Sequence, residues 1–170
     1  MQLPTRLRVV TAGFARRELG AAAVEFALVA PVLLILVFGV IDFGRALYVV
    51  NVLTAAMREG ARRGAASGVN SSTNTPDLSS TTEPKGACPV AQGYVSTALG
   101  VTLTCQTSTA CTGGSAPGAN VILARYCSTD GLITVSMPGG YTFAPAAGLF
   151  SRLGTTLRPR QAVFRWELAS

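Results

Sequence analysis

The sequence predicts an α+β protein: a long N-terminal transmembrane helix continuing into a small extracytoplasmic domain with a few antiparallel strands. Three observations carry this expectation. Residues 26–41 form one uninterrupted apolar run, and a helix-period pattern continues beyond it to about Ala66. Short alternating runs of strand character then recur from Val101 to the end of the chain. All four cysteines lie after the apolar run, as in a small domain stapled by disulfides.

The apolar run extends back from residue 26 to Ala21, broken only by Glu25. Ala21–Ile41 at 1.5 Å per residue covers about 31 Å, the thickness of a hydrocarbon core. Pro31 and Gly39 are tolerated in such helices better than in soluble ones. Pro31 cannot donate to the carbonyl of Ala27, so a mild kink or local loosening is expected there. A cleaved secretory signal fits poorly, because the run is long for a signal core and no small-x-small site follows it.

The charge distribution agrees with an anchor rather than a nucleic-acid binder. Only 13% of residues are charged, against about 25% in an ordinary soluble domain. The net charge is +6, but Arg6, Arg8, Arg16 and Arg17 crowd the leader. Without residues 1–20 the chain has 10 basic and 7 acidic residues, a net +3. No nucleic-acid partner and no small-molecule substrate is expected. The chain has no His, which removes the Ser-His and Cys-His catalytic pairs and the His-based metal motifs. Neither catalysis, nor a cofactor, nor a metal is expected.

Glu25 is the residue that does not belong in an apolar run. A carboxylate inside a bilayer is costly and is by default a functional candidate. Its context is Arg16-Arg17-Glu18-Leu19-Gly20, then Ala21-Ala22-Ala23-Val24, then Glu25-Phe26 opening the span. A basic leader ending in Gly, four small or apolar residues and then Glu-Phe resemble a type IV prepilin processing site. The resemblance implies cleavage by a prepilin peptidase between Gly20 and Ala21. It also implies that Glu25 pairs with the terminal amine of a neighbouring subunit, which would offset its burial cost. The run Phe38-Gly39-Val40-Ile41-Asp42-Phe43-Gly44-Arg45-Ala46-Leu47-Tyr48, with Ala56-Met57-Arg58-Glu59-Gly60-Ala61-Arg62 after it, is similar to the TadE-like proteins of the tight-adherence (Tad) pilus. That likeness covers about residues 16–66. It implies a minor pilin or pseudopilin that takes part in pilus assembly. The implied partners are the prepilin peptidase, other pilins, the Tad secretion and assembly proteins, and the lipid bilayer.

Past the span, Leu47, Val50, Leu53, Thr54, Met57 and Ala61 recur at spacings of three or four, a helix stripe. Glu59 is placed to pair with Arg62 and Arg63 at i+3 and i+4. Gly68–Gly86, rich in Ser and Thr with two Pro, reads as a flexible loop or linker. A second helix is expected over Pro89–Leu99. Strands are expected around Val101–Cys105, Val121–Cys127, Leu132–Met137 and Tyr141–Phe143. A last strand is expected to place Phe164, Trp166 and Leu168 on one face, with Arg165 and Glu167 on the other. The Gly113–Gly118 loop lacks the phosphate-loop pattern and reads as a turn. The expected division is therefore a leader over 1–20, a transmembrane and juxtamembrane helix over 21–66, a linker over 67–87 and a domain over 88–170.

Cys88, Cys105, Cys111 and Cys127 are spaced by 17, 6 and 16 residues, with no C-x-x-C. Zinc ligands usually lie closer, so two disulfides are expected, each stabilising the domain by about 2–4 kcal/mol. Three pairings are possible and the sequence does not choose among them; the nested one, Cys88–Cys127 with Cys105–Cys111, is the working expectation. Disulfides imply an oxidising compartment, which puts the domain outside the cytoplasm and the N-terminus within it. The expected location is the bacterial inner membrane, single-pass. The competing reading is a membrane-anchored binding or sensor module unrelated to pili. It predicts an intact leader and independence of a prepilin peptidase.

Overall fold

The computed structural model describes residues 11–82, 85–111, 117–145 and 156–166, with side chains from Gly20 onward. The first half of the expected leader, residues 1–10, falls outside these residues, as do most of the Gly113–Gly118 turn and the positions of Glu167 and Leu168. The elements are α1 (Thr11–Ala65), β1 (Val69–Asn70), β2 (Thr75–Pro76), α2 (Ala87–Leu99), β3 (Thr104–Ser108), β4 (Val121–Cys127), β5 (Leu132–Ser136), β6 (Tyr141–Thr142), β7 (Thr156–Leu157) and β8 (Ala162–Arg165). The class is α+β, as the sequence predicts. The chain divides into two units, Met1–Ile41 and Asp42–Ser170.

In the first unit, α1 runs unbroken through Pro31. Every large apolar side chain from Val24 to Ile41 is 42–72% exposed. A helix that is apolar on all sides and buries none of them needs lipid or protein around it. It is the one helix, among the described residues, long and apolar enough to cross a membrane.

The second unit is built on a four-stranded sheet of order β3-β4-β5-β8. β4, β5 and β8 are antiparallel neighbours, whereas β3 joins β4 in parallel. The few antiparallel strands expected from the sequence are formed, and the parallel pair adds to them. Residues 109–120 supply the long connection that a parallel pair requires. One face of the sheet contributes Ile122, Ala124, Tyr126, Ile133 and Val135 to the core. Strand alternation puts these residues on one side together. Against them pack α2, through Ala87, Cys88, Ala91 and Val95, and the latter part of α1.

On α1 the buried positions within this unit are Asp42, Val52, Leu53, Ala56, Met57, Gly60, Ala61 and Gly64. The expected stripe is therefore rotated. Leu53, Met57 and Ala61 are fully buried, but Leu47 is 49% exposed, and Val50 and Thr54 are only half-buried. The true seam is lined by small residues, which allow α2 to approach. Met57 has no exposed surface and is among the largest fully buried side chains. Met57→Ala is expected to cost about 2–5 kcal/mol, read as a lower thermal midpoint of the detergent-solubilised protein. An unchanged midpoint would place Met57 outside the core.

Much of the segment expected as a flexible linker is folded. Val69 pairs with Pro76 and Asn70 with Thr75. Leu78 enters the core with 4% of its surface exposed, and its carbonyl accepts from the Cys88 amide at 2.9 Å. That bond satisfies an orphan amide at the start of α2, where Gly86 offers no side-chain cap. At the other end Gly100 closes α2 in a left-handed conformation, donating to the Ser96 carbonyl.

The last strand keeps its expected face: Phe164, opposite Ile133, and Trp166 lie on the core side, and Arg165, opposite Leu132, on the other. Ala162 is buried and Trp166 packs edge-on against Tyr126 with ring centroids 5.4 Å apart. Phe164, between them, is 39% exposed at the sheet edge.

The disulfides are Cys88–Cys105 and Cys111–Cys127, so the nested pairing is not formed. Cys105 lies within β3, and the chain runs on extended to Ser108, so a strand rise of about 3.3 Å per residue carries Cys111 away from Cys105. The parallel register, Thr104 opposite Val121 through Ser108 opposite Arg125, brings Cys111 beside the end of β4 instead. Cys127 is waiting there.

Candidate functional site

The residues singled out for leader cleavage and subunit pairing all lie on α1, at the start of its exposed apolar stretch. Gly20 and Ala21 are helical and exposed, and a Cβ on Gly20 would meet nothing within 4 Å. Glu25 and Phe26 are exposed on the following turn, Phe26 to 71%. Ala21 and Glu25 are four residues apart, hence neighbours on one helix face. Gly20 is displaced from that face. Among the described residues Glu25 makes no ion pair. A carboxylate so placed, flanked by apolar surface on an unburied helix, has its partner elsewhere or remains in water.

Further along α1, Asp42 is buried at the start of the second unit, with 5% exposed. Arg45 places its guanidinium 5.6 Å from the ring centre of Phe143, a cation–π contact. Tyr48 donates its hydroxyl to the Ala98 carbonyl at 3.3 Å, tying α1 to the end of α2. Glu59 accepts from Arg62 Nε at 2.8 Å and Nη2 at 2.6 Å, and from Arg63 Nε at 3.2 Å, as its spacing predicts. The hydrogen bond from Arg62 is the chief reason the Glu59 carboxyl sits below the usual carboxylate range. A lowered pKa stabilises the fold above the unfolded value and ceases to do so as pH falls through the folded one. The pair is solvent-exposed, so this contribution is small.

Sequence reasoning missed the role of Gly60 and Gly64. A Cβ at Gly60 would come within 2.9 Å of the Ala91 Cβ, and one at Gly64 within 2.9 Å of the Ala87 Cβ. The signal was present as small residues at i and i+4 on both helices, but glycines near a helix end read first as caps.

Residues 20–62 match the family model described as TadE-like protein. That segment is TadE-like. It begins at Gly20, includes Ala21, Glu25 and Phe26, and contains the whole exposed apolar stretch. It ends at Arg62, inside the packed part of α1, so the TadE-like segment spans both units. The match covers 43 of the 170 residues and likens that segment to the TadE-like proteins. No curated protein and no solved structure matches the chain.

Proposed function

We propose that this protein is a minor pilin, or pseudopilin, that takes part in assembly of a Tad-type pilus after cleavage between Gly20 and Ala21. The observation that carries the reading is the coincidence of three boundaries at one point. The TadE-like segment starts at Gly20, the basic leader stops there, and the apolar run of the sequence begins at the next residue, Ala21. The two disulfides support an oxidising compartment for the second unit, and with it a cytoplasmic N-terminus in the inner membrane.

Gly20 lies within α1, and a peptidase needs an extended bond. Gly costs about 1 kcal/mol in a helix relative to Ala, so the helix opens most easily at this point. Gly20→Ala removes that weakness without any steric conflict and should block processing. Cleavage would also change the setting of Glu25. In the long helix it is mid-helix; with Ala21 as the first residue it lies near a new N-terminus, where the helix dipole favours a negative charge. The new amine of Ala21 stands one turn away on the same face, and that of an adjacent subunit offers the same chemistry. Glu25 and Phe26 would then form the contact by which one subunit is recruited by another, and the prepilin peptidase and other pilins would be the partners.

Intact-mass analysis of the membrane-extracted protein tests this. An N-terminus at Ala21 is expected, with the uncut chain accumulating in Gly20→Ala. A full-length wild-type protein, or an N-terminus beyond Ile41, would overturn the proposal. Glu25→Ala should be cleaved normally yet fail to support pili; normal pilus numbers would remove Glu25 from the assembly role.

A further inference from the structure

The face of the sheet turned away from the core carries a feature that membrane anchoring and leader cleavage do not use. Alternation along β4 sends Ile122, Ala124 and Tyr126 to the core, and Leu123, Arg125 and Cys127 to the opposite side. The register sets Leu123 opposite Ser136, Arg125 opposite Thr134 and Cys127 opposite Leu132. These six residues line an open cavity of about 630 Å³, with Arg158 and Asp130 also in its wall.

Arg125 is the anomaly in this cavity. Its Nε is buried and, among the described residues, has no hydrogen-bond acceptor. A guanidinium stays charged and presents only donors, so a buried N–H without an acceptor is a standing cost to the fold. Arg158 lines the same cavity and makes no ion pair among the described residues. Among the described residues Asp130 is the only carboxylate in the wall, and it pairs with neither arginine. Two guanidiniums against one carboxylate leave the cavity with a positive charge. The group that satisfies a fork of guanidinium donors is a carboxylate.

The rest of the surface indicates what carries that carboxylate. Leu123, Leu132 and the Cys111–Cys127 disulfide give the floor an apolar part. Val163 of the edge strand β8, in register with Thr134 and therefore on the same face, is 45% exposed. A small anion would use the arginines and leave this apolar surface in water. A peptide that carries both acidic and apolar side chains uses both, and β8 is the last strand of the sheet among the described residues. We propose that this outer face is a docking site for an acidic, apolar-interleaved segment of a partner protein, held by Arg125 and Arg158.

The test uses the full-length protein in detergent micelles, labelled with ¹⁵N, and follows the arginine Nε–H signals. The probes are acetyl-Glu-Leu-Glu-Leu-Glu amide, its Gln-Leu-Gln-Leu-Gln analogue and inorganic phosphate. The acidic peptide should move the Arg125 signal saturably while that of Arg62, held by Glu59, stays in place. Arg158→Gln should weaken binding by about tenfold, the worth of one charge-assisted hydrogen bond, with the thermal midpoint unchanged. Arg125→Met should abolish binding and leave the midpoint unchanged or higher, since it removes an unsatisfied donor. Equal binding of the glutamine peptide, equal binding of phosphate, or a uniform shift of all arginines would overturn the proposal. So would a lower midpoint in Arg125→Met, which would make the guanidinium a structural group.

Discussion

Replacing all four cysteines by serine should leave the second unit without its native fold at growth temperature, and removing either bridge alone should cost about 3 kcal/mol. The bridges close segments of 17 and 16 residues, which fixes the size of the chain-entropy effect. Small domains have only about 5–15 kcal/mol of net stability, so two such losses consume most of it. The location of the bridges sharpens the expectation. β3 is an edge strand whose side chains are half or fully exposed, and among the described residues its only ladder is the parallel one with β4. Cys88–Cys105 fastens it to the start of α2, and Cys111–Cys127 fastens the chain just beyond it to the end of β4. Each single removal should therefore free β3 first. In hydrogen exchange the amides of 104–108 should lose protection well before those of β4 and β5. Thermal unfolding with and without reductant measures the global effect, and peptide mapping checks the pairing. A midpoint insensitive to reductant would mean that the buried core alone holds the unit.

The parts of the fold that were legible in the sequence are those decided locally. β4 spans Val121–Cys127 and β5 begins at Leu132, where alternation alone placed them, because each strand buries one face against a single core. The exposed apolar helix was legible because nothing but length and composition decides it. What the sequence hid was decided by distant contacts. Strand direction leaves no local mark, so the parallel placement of β3 could not be read, and the cysteine pairing followed from that register. Leu78 was concealed in a stretch whose composition is that of a loop, because one buried leucine does not change an average. The site residues Gly20, Ala21, Glu25 and Phe26 were visible as a pattern, but their exposure on one helix is a property of the fold. Arg125 left no signal at all: an arginine in a strand reads as a solvated face, and only the cavity around it makes its Nε conspicuous.

The rotated stripe on α1 leads to the second large effect. Leu47 and Val50 satisfied the helix spacing and are more apolar than the glycines and alanines buried beside Leu53 and Met57. The seam instead uses Ala56, Gly60, Ala61 and Gly64, which add little hydrophobicity but permit close approach. Gly60 and Gly64 face Ala87 and Ala91 of α2, so each helix presents small residues one turn apart to the other. At Gly64 even a Cβ would crowd the Ala87 Cβ at 2.9 Å, with Ile133 Cγ2 and Leu78 Cδ2 both at 3.3 Å. A larger side chain must push α1, α2 and the sheet apart, and Gly64→Leu is expected to destabilise the unit by about 3 kcal/mol. The comparison that isolates this effect is Gly93→Ala, on the exposed side of α2, where an added Cβ meets nothing within 4 Å. There only helix propensity and unfolded-state entropy change, and stability should rise by about 0.5–1 kcal/mol. Opposite signs in the two denaturation midpoints would locate the helix–helix contact at Gly64. A Gly64→Leu protein as stable as wild type would show that the helices can separate without loss, and the packed seam would not be what joins α1 to the rest of the second unit.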